Sequence, residues 1–318
     1  MIDRKRKKKK RTNTVNNYEG ILRNHILPYA GDRAAASLRR RDSMALIDHL
    51  LEKPSLNSPR SVIQVFKTWR LLMHYMIDED VPLPANIVTR IELPDVDIRR
   101  ADVLTPGQVA AVAAAIAEIE PRFEILVWLA ACAGLRAGEA LGLRRDHVDW
   151  MKHRLHIQEQ RQRGQAAPLK RTSSYATLPI DRFLIERLTL HVDRFPGAHQ
   201  DSAARRGVDA ETELADEGLI VTTRSGRPVS GNDLSQKWRQ AADRADLPEG
   251  SRFHQLKSFY TSTLGGSGGH DPKTVQSLSR HARFSETWDT YARPPLAVES
   301  LTVTIFSSTF PDPPGRGT

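Results

Sequence analysis

Apolar residues recur at three- and four-residue steps in three early stretches of the chain, and each stretch predicts a helix with one buried face. The first carries Val15, Tyr18, Leu22 and Ile26, with Pro28 and Gly31-Asp32 expected to end it. The second covers residues 43–51 and closes at Pro54. The third opens at Pro59, repeats Val62, Phe66, Trp69, Leu72, Met73 and Met76 along its length, and stops at Val81-Pro82-Leu83-Pro84. Residues 12–94 therefore read as a small helical domain. Residues 95–102 carry alternating charge without a period and read as a linker.

Beyond the linker, Thr105-Pro106-Gly107-Gln108 has the form of a helix start: Thr105 as N-cap, Pro106 as the first helical residue, Gln108 reaching back to the cap. The helical pattern then continues to about residue 145. Leu155-His156-Ile157 and Thr177-Leu178-Pro179-Ile180 read as short strands around a polar, turn-rich stretch. Helical patterning returns over 182–195, 231–245, 253–264 and 272–280. The fold class is therefore mainly α with a small β-sheet (α+β). A second domain is expected over 103–296, followed by a tail at 297–318.

Charge adds a partner to this outline. The 318 residues hold 47 Lys+Arg against 38 Asp+Glu, a formal net charge of +9, which favours a polyanion. Residues 1–11 contain the unbroken basic block Arg4-Lys5-Arg6-Lys7-Lys8-Lys9-Lys10-Arg11. So dense a run of like charge cannot fold alone. It reads as a flexible arm for phosphates, against the plainer reading of a solvated tail. The single cysteine, Cys132, has no partner for an intramolecular disulfide, which fits a reducing compartment. The most apolar stretch, residues 125–135, falls short of the roughly 20 residues that span a bilayer. The first residues are charged rather than signal-like. A cytoplasmic, nucleoid-associated protein without a membrane partner is the expectation.

The candidate chemistry begins at Ala133-Gly134-Leu135-Arg136-Ala137-Gly138-Glu139-Ala140-Leu141-Gly142-Leu143. An apolar helix runs into Gly134, turns and restarts. An arginine at such a turn can aim a guanidinium fork at two phosphate oxygens. With the downstream Arg145-Asp146-His147-Val148-Asp149, this stretch closely resembles the first box of the tyrosine recombinases, the phage-integrase family. The resemblance implies further pieces in a fixed order. Lys170, in Pro168-Leu169-Lys170-Arg171, stands at the family's hairpin lysine. His254 opens the second box in Phe253-His254-Gln255-Leu256-Lys257-Ser258, with Lys257 where the family has its second phosphate-binding arginine and Ser258 where a histidine is common. In Ser277-Leu278-Ser279-Arg280-His281, His281 matches the histidine presented to the phosphate, and Arg280 replaces the usual glycine before it. Tyr291, in Thr287-Trp288-Asp289-Thr290-Tyr291, matches the nucleophile.

The resemblance implies a helical core-binding domain followed by a catalytic recombinase domain, closing on double-stranded DNA as a homo-tetramer on two DNA sites, with an accessory DNA-bending protein as a further partner. The activity implied is site-specific recombination for integration or excision of a mobile element. A tyrosine hydroxyl, with an ordinary pKa near 10, is a weak nucleophile at neutral pH and needs help. Cationic groups on the non-bridging oxygens stabilise the developing charge. A histidine assists the tyrosine proton, and Lys170 protonates the leaving 5′ oxygen. The 3′-phosphotyrosine conserves bond energy, so no cofactor or metal is expected. His147, His153 and His156 lack the spacing that recurs in metal sites.

Two readings stay open. The retained Arg136, Lys170, His254, His281 and Tyr291 favour an active recombinase. Lys257, Ser258, Arg280 and the run Gly265-Gly266-Ser267-Gly268-Gly269 favour a catalytically impaired DNA-binding relic of the same family. Under the first reading, Lys257→Arg restores a lost fork and is expected to raise cleavage.

Overall fold

The computed structural model describes residues 1–3, 12–56, 58–96, 103–162, 164–169, 175–196, 218–266 and 271–280. The chain divides into two compact units, Met1–Arg100 and Ala101–Thr318.

In the first unit, α1 (Thr12–Ile21) passes without a break into a π-helical turn, Leu22–Ile26, and a last α turn, Leu27–Ala30. Pro28 therefore sits inside the helix that it was expected to end. The wider turn explains this: Leu27 N–H reaches back five residues to the Leu22 carbonyl, and Pro28 falls in the first turn of the restarted helix, where no N–H is required. Gly31 ends the segment. Two further helices follow, α2 (Arg40–Leu51) and α3 (Pro59–Asp78). Ser58 caps α3, its side chain accepting from Ser61 N–H, with Pro59 as the first helical residue. Leu46, Leu50, Val62, Phe66, Trp69, Met73 and Ile87 form the centre of this unit's core, each at most 1 % exposed. Within it, Trp69 Nε1 donates to Ser43 Oγ at 2.9 Å. Ser43→Ala strands that buried donor and is expected to cost about 1–3 kcal/mol in denaturant unfolding. A loss below about 0.5 kcal/mol would show that Trp69 has another partner.

The second unit is helical around a small sheet. The capping box read at Thr105 is present: Thr105 Oγ1 accepts from Gln108 N–H at 3.2 Å, and Gln108 Oε1 accepts from Thr105 N–H at 2.9 Å. It opens α4 (Pro106–Ile119), which a 3₁₀ turn joins to α5 (Glu124–Ala133). All of α5 from Ile125 to Ala133 is buried, Cys132 included. A helix apolar on every side needs neighbours on every side. It packs against α4, the short α6 (Ala137–Leu141), α7 (Arg182–Arg194) and α9 (Gln255–Gly266). Also present are α8 (Gly231–Arg244), packed on α4, and α10 (Pro272–Ser279), packed on α9.

Strands β1 (Val148–Asp149), β2 (Arg154–Ile157) and β5 (Ala176–Pro179) form an antiparallel sheet in the order β1-β2-β5, with Leu155 opposite Val148 and Leu178. The polar stretch between β2 and β5 holds a second ladder, β3 (Glu159–Gln162) with β4 (Gln165–Pro168), around Gly164 at φ 79°. Its sequence lacks apolar alternation, so periodicity could not reveal it. Side chains secure it instead: Gln160 Nε2 donates to the Pro168 carbonyl at 2.6 Å, and Arg161 to the Gly164 carbonyl. Among the described residues, no helix is long and apolar enough to cross a membrane.

Candidate active site

The site grows from the end of α5. Gly134 takes a left-handed conformation, φ 60° and ψ 30°, and closes the helix. Two residues on, Arg136 has extended backbone and caps α6. Glu139 fixes it there. Glu139 Oε2 accepts from Arg136 N–H and Oε1 from Arg136 Nη1, both at 2.9 Å. Glu139 is 3 % exposed, whereas the Arg136 side chain keeps 36 % of its surface in water. One guanidinium nitrogen is thus anchored on a buried carboxylate while the side chain remains accessible, so its other N–H groups can meet an anion.

The second box begins at His254, an exposed residue just before α9. Its pKa lies below the usual imidazole value through partial desolvation, then the charges of Lys257 and Arg136. Ser258 faces solvent. Lys257 turns inward and is 3 % exposed. Its Nζ donates to the Gly134 carbonyl at 2.7 Å and to the Ser279 carbonyl at 2.8 Å. Burial, with the charges of Arg280 and Arg136, pushes its pKa down to about 7. Lys257, expected from its place in the second box to reach the phosphate, therefore bonds backbone carbonyls instead. Gly265 and Gly266 are the last residues of α9, and the rest of that glycine run, Ser267, Gly268 and Gly269, lies outside the described residues.

Arg280 ends α10 in the left-handed region, φ 53° and ψ 42°. Side chains with a Cβ pay for that conformation. Its Nη2 donates to the Gly134 carbonyl and to Glu139 Oε2, each at 2.9 Å, and the residue is 4 % exposed. Burial alone would raise the Glu139 pKa; Arg280, followed by the N–H and charge of Arg136, holds it below the usual carboxylate value. The structure thus brings together Arg136, His254 and Lys257 and adds Glu139 and Arg280. Neither addition was singled out from sequence as a site residue. The three-residue spacing of Arg136 and Glu139 on a helix start was the available signal for the first. Lys170, His281 and Tyr291 lie outside the described residues.

Comparisons with known proteins bear on the fold and the family. A solved Tn1549 transposon integrase fragment, in complex with a circular intermediate DNA, is 16 % identical, covers 92 % of this chain and 93 % of its own, and has a TM-score of 0.72. A lambda integrase tetramer bound to a Holliday junction is 17 % identical over 90 % of this chain and 77 % of its own, with a TM-score of 0.67. At these identities the likeness is one of fold. A tyrosine recombinase XerC-like protein of Caldanaerobacter subterraneus subsp. tengcongensis is 26 % identical over 183 residues, which are 54 % of this chain and 45 % of the relative, so the match spans about half of each. The model of the phage integrase family matches residues 102–295, more than half of the sequence, and the chain belongs to that family.

Proposed function

We propose that this protein is a site-specific DNA recombinase that breaks and rejoins double-stranded DNA through a 3′-phosphotyrosine, in the integration or excision of a mobile element. The observation that carries the reading is Arg136, held by a buried carboxylate at a helix start with its side chain open to solvent. Arg136 binds the scissile phosphate, and Tyr291 attacks it. Partial desolvation, then the charges of Lys257 and Arg136, lower the His254 pKa, which favours a neutral ring that can accept a hydrogen bond or a proton from the attacking hydroxyl. Lys170 protonates the leaving oxygen, and His281 contacts the phosphate. Residues 12–94 act as the core-binding domain and 103–296 as the catalytic domain. The DNA complexes of the Tn1549 and lambda relatives support DNA as partner, and the lambda tetramer supports a four-protomer assembly.

A second reading, a DNA-binding relic with little cleavage, is favoured by one observation: the Lys257 ammonium is committed to two backbone carbonyls. A covalent trap separates the two. The protein is mixed with nicked DNA fragments tiled from the sequence flanking its gene and run on a denaturing gel. The expected result is a slower band that Tyr291→Phe abolishes. DNA binding with no adduct on any fragment would favour the relic.

A further inference from the structure

The Gly134 carbonyl oxygen accepts from two buried basic side chains on different elements: Lys257 Nζ of α9 at 2.7 Å and Arg280 Nη2 at the end of α10 at 2.9 Å. Lys257 also binds the Ser279 carbonyl, the residue directly before Arg280. Arg280 continues to Glu139, the carboxylate that holds Arg136. One connected set of bonds therefore ties the Arg136 turn to α9 and α10. No side chain in it is more than about a twentieth exposed except Arg136 itself.

We infer that Arg280 and Lys257 are a reciprocal pair of positioning residues, in which Arg280 supplies from α10 the guanidinium that locks Glu139 and the Arg136 turn, and Lys257 is the compact cation that leaves room for it. This rests on the recombinase reading above for its catalytic meaning, though not for its structural content. Two features of the molecule lead to it. Arg280 occupies a left-handed conformation that carries a backbone cost, and its bonds to Gly134 and Glu139 are among the contacts that offset it. Lys257 meets two carbonyls with one point charge, and the Gly134 oxygen already accepts from both Lys257 and Arg280, so a larger planar fork at 257 would compete with Arg280 for it. Lys257→Arg would crowd Arg280 and place a second guanidinium against it, so the gain in cleavage expected from the sequence alone is replaced here by an expected loss. Arg280→Gly relaxes the backbone, since glycine accepts a positive φ, but leaves Glu139 with fewer donors. The two changes together free the space that the new arginine needs.

The test is a four-member cycle of wild type, K257R, R280G and K257R/R280G, each measured for denaturant midpoint, DNA affinity and rate of adduct formation on nicked DNA. Each single variant is expected to lose at least about tenfold in adduct rate per folded molecule, a misplacement effect, while DNA affinity changes little. The double variant is expected to recover most of that rate and of the midpoint. Effects that multiply to within about twofold, as for independent sites, would overturn the pairing. So would a K257R protein that forms adduct as fast as wild type. Adduct loss that merely tracks the folded fraction would overturn the positioning role. Should both singles fail to fold, a folded double variant supports the pairing and an unfolded one refutes it. Wild type that forms no adduct counts against the recombinase reading alone, because the midpoints still report the coupling.

Discussion

Replacing Glu139 with alanine is expected to destabilise the second unit by about 3–5 kcal/mol, the cost of removing one partner from a buried ion pair. The carboxylate is 3 % exposed and faces Arg280, whose side chain is 1 % exposed, at 2.9 Å. Its removal takes a carboxylate partner away from that buried guanidinium. The same change releases the backbone N–H and Nη1 of Arg136. Denaturant unfolding should therefore shift strongly, and adduct formation should fall at temperatures where the variant is still folded. Glu139→Gln keeps the shape and loses the charge, so it should retain more of the fold. A variant within about 0.5 kcal/mol of wild type would show that the pair contributes little, as many exposed pairs do. Acid should reproduce part of the effect. The folded-state pKa of Glu139 lies below its ordinary value, so the unfolded chain takes up the proton first as pH falls. Its stabilisation is complete above the ordinary glutamate range and is lost as pH drops through the folded-state value. In Glu139→Gln that portion of the acid sensitivity should vanish.

Gly134→Ala is expected to be nearly as costly. At φ 60° a Cβ is already disfavoured, by about 1–2 kcal/mol. The new methyl would also lie 2.5 Å from Tyr260 Cδ1 and 2.8 Å from Cε1. Tyr260 is 1 % exposed in α9 and has no room to retreat, so overpacking adds about 1–3 kcal/mol. The sum is about 2–5 kcal/mol in denaturant unfolding. The functional loss should exceed the loss of fold, because the Gly134 carbonyl anchors Lys257 and Arg280 and because Arg136 follows two residues later. Wild-type stability in Gly134→Ala would show that α9 shifts freely against the turn, contrary to the packing described.

Much of this architecture was legible in the sequence where a physical signal is local. The apolar faces of α2 and α3, the Thr105 capping box and the turn at Gly134 each follow from a few neighbouring residues. Pro28 misled because its usual effect assumes an α-helical register, and the π turn before it depends on packing that spacing does not encode. The β3–β4 ladder was missed because its stability lies in backbone pairing and in Gln160 and Arg161 rather than in apolar alternation. In the site, Arg136 could be picked out because its motif is contiguous. The direction of Lys257 could not, since the carbonyls that draw it inward belong to residues 134 and 279, far away in sequence. Arg280 was legible as a departure from glycine, but its bond to Glu139 spans 141 positions.

The shared Gly134 carbonyl oxygen also bears on how such a chain can change. On the proposed pairing, a chain with arginine at 257 and glycine at 280 could reach this one only through a weaker single variant, and the two positions are expected to vary together. Sister lineages on either side of that exchange would hold the same turn by different means, and a chimera joining the α9 of one to the α10 of the other would inherit two guanidinium groups or none.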